Sequence, residues 1–108
     1  MVGEIEVIFT PSVIHYLDDL VIILYKKEYF GFIESAIEYV SNLYNVIPER
    51  IKKTSHKRTP MPIQYLGLNY VFYNANARTT WYIFFEKRDQ NYLITRIINN
   101  NSSEVKEL

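Results

Sequence analysis

Two periodicities divide this chain into elements. Glu4-Ile5-Glu6-Val7-Ile8-Phe9 places Ile5, Val7 and Phe9 on one face, the two-residue period of a half-buried strand. Thr10-Pro11 then supplies a helix start, with Thr10 as N-cap and Pro11 at the first helical position, where its missing N–H costs nothing. The next stretch, about residues 11–27, carries Val13, Tyr16, Leu17, Leu20, Val21 and Leu24 at helical spacings of three and four. Ile22 and Ile23 widen that stripe, so this helix is expected to be covered on more than one side. After a gap containing Gly31, a second helix is predicted over about residues 30–47, with the stripe Ile33, Ala36, Ile37, Val40, Leu43, Tyr44 and Ile47. Pro48 is expected to stop it or open a new turn. So short a gap predicts an antiparallel helical hairpin whose stripes bury against a sheet.

The run PERIKKTSHKRTPMP, residues 48–62, reads as a basic, exposed connection. Beyond it, residues 65–73 are a strand candidate interrupted by Gly67, and Asn74-Ala75-Asn76-Ala77 is a turn. Thr80 to Glu86 and Tyr92 to Ile98 are the strongest strands, rich in aromatic and β-branched residues. Both carry apolar side chains on both faces, so the pair is expected to be central or covered on both sides. Residues 1–100 form one expected domain and 101–108 a frayed tail. A strand, a helical hairpin and a three-stranded antiparallel meander imply an α+β fold, with the helices on one face of a twisted sheet.

Composition narrows the chemistry. A chain of 108 residues is long enough for one self-sufficient core. The absence of Cys excludes disulfides, thiolate metal sites and cysteine nucleophiles. His15 and His56 are far apart and lack metal-ligand spacing, so no metal or other cofactor is expected. Ten tyrosines, six phenylalanines and one tryptophan give an aromatic content of 16%, high enough to expect a surface that meets a partner. The N-terminal residues lack a basic segment followed by an apolar one, and no run approaches the roughly 18 apolar residues of a membrane span. The expectation is a soluble, cytoplasmic chain with no membrane partner. Zero net charge conceals an asymmetry: residues 1–49 hold eight acids against two lysines, and residues 50–108 hold ten Lys or Arg against four acids. A neutral chain of this kind can still present a basic face to phosphates or to an acidic partner.

With these elements in order, the chain resembles the RelE/ParE superfamily, the toxins of bacterial type II toxin–antitoxin and plasmid-stabilisation systems. The segments that carry the resemblance are IEVIFTPSVIHYLDDL, FIESAIEYVSNLY, LGLNYVFYN, TTWYIFFEK and YLITRIINN, nearly the whole chain. The resemblance rests on element order and hydrophobic pattern. It implies a toxin neutralised by a cognate antitoxin. The toxin acts either as a ribosome-dependent endoribonuclease on messenger RNA or, in the ParE branch, by inhibiting DNA gyrase. A non-catalytic interaction module on the same fold is the alternative, and a homodimer is among the expected partners. In the nuclease branch a ribose 2′-hydroxyl attacks the adjacent phosphate, which requires a group to hold the hydroxyl, cations for the developing charge and an acid for the leaving oxygen.

The candidate catalytic residues are Arg78, Tyr82 and Arg96. Arg96 stands in the last strand where the family often has Arg. If Glu86 pairs with Tyr92 across a turn at residues 87–91, Tyr82 faces Arg96 and the two supply a hydroxyl and a cation. A one-residue slip separates them. Arg78 is positioned to clamp a phosphate from the preceding turn. The plain alternatives are a paired edge arginine, a packing tyrosine and a solvated turn arginine. Nuclease members of the family commonly place a basic residue near Tyr82 and a His or other basic group near Asn99, and both positions are neutral here. Lys52, Lys53, Lys57 and Arg58 are candidate nucleic-acid contacts, since phosphate contacts give affinity without sequence preference; a solvated charge run is their alternative. Trp81, Tyr82, Phe84, Phe85 and Tyr92 are base-stacking candidates, though such aromatics are more often the core on which the helices pack, with Tyr82 and Tyr92 the ones expected to reach the surface.

Overall fold

A computed structural model of the chain describes residues 6–27, 31–53 and 55–108. The expected strand start at Glu4 and Ile5 and helix start at Phe30 lie outside the described residues. The elements run β1 (Val7–Phe9), α1 (Pro11–Lys26), α2 (Ile33–Lys53), β2 (Lys57–Arg58), β3 (Asn69–Asn74), β4 (Thr80–Arg88) and β5 (Asn91–Asn99). Short 3-10 segments occupy Met61–Leu66 and Ser103–Glu107. One five-stranded sheet has the order β1-β5-β4-β3-β2, with β1 parallel to β5 and the other pairs antiparallel. The α+β class and the helical hairpin on one face of the sheet are as the pattern predicts.

Thr10 caps α1 as its sequence position suggests, accepting from the Val13 N–H at 3.3 Å. Val13, Leu17 and Leu20 of α1 join Val40, Leu43, Ile47 and Ile51 of α2 over the sheet residues Val71, Trp81, Ile83, Phe85, Ile94 and Ile97. The Trp81 indole N–H, inside this layer, donates to the Tyr39 hydroxyl at 3.0 Å. On the opposite face Tyr70, Phe84 and Ile98 pack under Ile63 and Leu66 of the first 3-10 segment, and Tyr82 and Val105 join them. The sheet is therefore covered on both faces, which accounts for the unbroken apolar character of β4.

Three expectations change. Helix α2 does not stop at Pro48 but runs on to Lys53 with the proline inside it. Pro48 has no N–H for the Tyr44 carbonyl, at a cost of roughly 3 kcal/mol for an interior proline. One turn beyond Ile47, Ile51 is fully buried, and burying such a side chain returns about 1.5–3 kcal/mol. The presumed basic connection is therefore the end of a helix followed by an edge strand. The presumed frayed tail instead forms the Ser103–Glu107 turn, anchored by Val105 against the second cluster. Third, β4 and β5 meet in a tight turn at Asp89-Gln90, with Arg88 paired to Asn91 and Asp89 in the left-handed region at φ 56°. A bulge then inserts Thr95 between the partners of Phe85 and Phe84. Glu86 consequently pairs with Leu93, Tyr82 with Ile98 and Arg96 with Phe84. Tyr82 and Arg96 are not opposite each other.

Candidate functional site

The displaced register offsets Tyr82 from Arg96, and Arg78 lies outside that ladder, in the loop before β4. Tyr82 lies two positions along β5 from Arg96, about 7 Å at strand rise. The C-terminal turn divides them further. Tyr82 lines a cleft of about 290 Å³ with Tyr70, Asn74, Thr80, Val105 and Leu108, whereas Arg96 lines one of about 240 Å³ with Ser12 and Tyr16 of α1, Ser102 and Glu104. Strand β1 pairs only as far as Ile94, so Arg96 is exposed on the β5 edge beyond it. Arg78 sits in the exposed β3–β4 loop. Its N–H donates to Asn76 Oδ1 at 2.8 Å and its carbonyl accepts from Asn100 Nδ2 at 3.0 Å. Asn100 Oδ1 also accepts from the Thr80 N–H at 3.2 Å, and Asn99 Oδ1 from the Asn101 N–H at 2.8 Å. The asparagines at the end of β5 thus tie the loop and the strand end together.

Tyr16 and Tyr70, one in each cleft, are not activated. Burial pushes the Tyr16 phenol above its ordinary value, and the nearby Arg96 charge only partly opposes that shift. Burial also raises Tyr70, with Tyr82 adding to the effect. Both shifts favour the neutral phenol. Such a group donates a hydrogen bond but is a poor base at neutral pH.

The basic residues are divided as well. Lys52 and Lys53 end α2, where cations oppose the negative end of the helix dipole. In β2, Lys57 pairs with Tyr70 and Arg58 with Asn69, so they belong to opposite faces of the sheet. His56, between them, is structural: its Nε2 lies 2.7 Å from the Ile51 carbonyl, and its ring meets Phe85 and Tyr92 edge-on at 4.8 and 5.3 Å. The carbonyl accepts, so Nε2 carries the proton. Trp81, Phe84 and Phe85 are core, and Tyr82 and Tyr92 are half-buried. His15 is exposed on α1.

A further concavity lies elsewhere, lined in part by residues that the pattern assigned to packing. The outer side of the helical hairpin carries a groove of about 460 Å³ between α1 and α2. Ile14, Asp18 and Val21 form one wall and Ile37, Ser41 and Tyr44 the other, over a floor of Leu17 and Val40. Each wall repeats at i, i+4 and i+7, so each is one line along its helix. Ile14, Ile37 and Tyr44 are 44%, 48% and 43% exposed, too much for monomer core. The Tyr44 ring is held by stacking on Phe9, centroids 4.5 Å apart. Ile22 and Ile23 are exposed too, so the second covered side expected for α1 is left open. The sequence signal for this groove is the pair of helical stripes, which supply Leu17, Val21, Ile37, Val40 and Tyr44 and read the same whether a domain's own core or a partner covers them.

Arg50 is a second residue whose role the sequence conceals. From the last turns of α2 its Nη2 donates to the Phe72 carbonyl at 3.1 Å, and its guanidinium lies 5.8 Å from the Tyr73 ring centroid. Phe72 is on the part of β3 that β2 leaves unpaired, so Arg50 blunts an open strand edge. Comparison with protein-family models, curated proteins and solved structures finds no match to this chain.

Proposed function

We propose that this chain is a non-catalytic, protein-binding module with a RelE/ParE-like fold, and that it acts through the groove of its helical hairpin. In the setting that the resemblance implies, the bound protein is the antitoxin of a toxin–antitoxin pair. The observation that carries the reading is the separation of Arg78, Tyr82 and Arg96 into a loop and two clefts divided by the C-terminal turn. Transfer of a 2′-hydroxyl proton and stabilisation of a phosphorane need their groups within hydrogen-bond reach of one phosphate. The exposed apolar walls at Ile14, Ile37 and Tyr44 support binding as the alternative activity.

Induced expression of the chain alone, with messenger RNA ends mapped, tests this. The expectation is intact messenger RNA. Any effect on growth is expected to persist in Arg96→Ala. Messenger RNA cut in the wild type and spared in Arg96→Ala would establish the nuclease instead.

A further inference from the structure

We infer that the groove between α1 and α2 receives a basic amphipathic helix of a different protein, with a Lys or Arg of that helix opposite Asp18. This rests on the protein-binding reading above and specifies the partner's chemistry. The apolar pairs Ile14 with Tyr44 and Val21 with Ile37 stand at the two ends of the groove, and Asp18 with Ser41 marks its middle. From Ile14 to Val21 the groove runs about 10 Å, two helical turns. A helix with apolar residues at i, i+3 or i+4 and i+7 spans that length and fills both ends. Charge selects the remainder of its sequence. No lysine or arginine lines the groove, Asp18 lies within it, and Glu34 and Glu38 are exposed on α2 beside it. Among the described residues the ion pair is Arg88 with Glu86, so Asp18 is available to a cation from outside.

Other occupants fit less well. A second copy of this chain has basic residues at the ends of both helices. On α1 the exposed Ile22 and Ile23 beside Lys26 share their face with Asp18 and Asp19, which would meet the acidic rim. On α2 the neighbouring Ile47 and Ile51 are fully buried in its own core. An acidic rim also repels nucleic-acid and lipid phosphates.

The test is selection of helix-forming 16-residue peptides from a random display library on the purified full chain, with counter-selection on Ile37→Glu. Wild-type and variant thermal melts are compared first. The expected consensus has apolar residues at helical spacing and Lys or Arg flanking them. Asp18→Lys is expected to weaken the best such peptide by roughly tenfold, as for loss and reversal of one partly exposed ion pair, and added salt is expected to weaken it too. An acidic or aperiodic consensus, equal binding to Ile37→Glu, or no selected peptide overturns the inference. An acidic helix lost on Ile37→Glu would sink the charge assignment but leave the protein-binding reading standing. Messenger RNA cleavage in the expression assay would do the reverse.

Discussion

A methyl group added at Gly67 would lie 2.5 Å from Thr95 Oγ1, 2.9 Å from Phe84 Cβ and 3.0 Å from the Phe85 nitrogen. These atoms belong to the bulge, so Gly67 is the point where the Met61–Leu66 segment presses on the irregular part of the sheet. Gly67→Ala is expected to cost about 1–3 kcal/mol by overpacking, read from denaturant midpoints. The hydroxyl of Thr95 donates to the Leu66 carbonyl at 2.5 Å. Thr95→Val keeps the shape and removes the donor, and about 1–3 kcal/mol is expected to be lost because a buried acceptor is left unpaired. A neutral effect of both variants would mean that the bulge is not held from this side. Tyr16 and Tyr70 give a pH signature at the same scale. Their folded pKa values lie above the unfolded value, so above about pH 10 the unfolded chain loses protons that the native state keeps. Stability is therefore fully present below pH 10 and falls as pH rises towards the folded values. Thermal melts between pH 9 and 11 should show the decline, and it should be shallower in a Tyr16→Phe, Tyr70→Phe double variant. The bulge also explains why Tyr82 and Arg96 are not legible as neighbours: an inserted residue depends on a tertiary contact to Leu66 and leaves no mark in the alternation of β5.

At the scale of elements, the helices and the two strong strands are legible because each has a continuous period and a cap or turn at its ends. What is hidden depends on contacts between elements. Pro48 reads as a stop, but Ile47 and Ile51 on either side of it are both buried, and their packing carries α2 through. Pro48→Ala restores an N–H to the Tyr44 carbonyl while relaxing the unfolded chain. The net expectation is a gain of about 1–2 kcal/mol in chemical denaturation. A loss would show that the helix is shaped around the proline. The C-terminal turn is hidden for a similar reason. It has a single apolar anchor, Val105, too few to register as a pattern, yet it covers one face of the sheet and separates the Tyr82 cleft from that of Arg96.

For the whole molecule, the charge asymmetry of the chain becomes a spatial one: acids along the two helices up to Glu49, and cations at the end of α2, on β2 and in the sheet. An apolar groove set into the acidic half supports the protein-binding proposal, whereas Lys57 and Arg58 stand on opposite faces of the sheet. The non-catalytic proposal rests on the separation of Arg78, Tyr82 and Arg96 among the described residues. Its most direct test is purified chain added to a reconstituted translation reaction, with primer extension along the messenger RNA for the wild type and an Arg78→Ala, Tyr82→Phe, Arg96→Ala triple variant. Full-length extension in both is predicted, and codon-spaced stops with the wild type that vanish in the triple variant would contradict it.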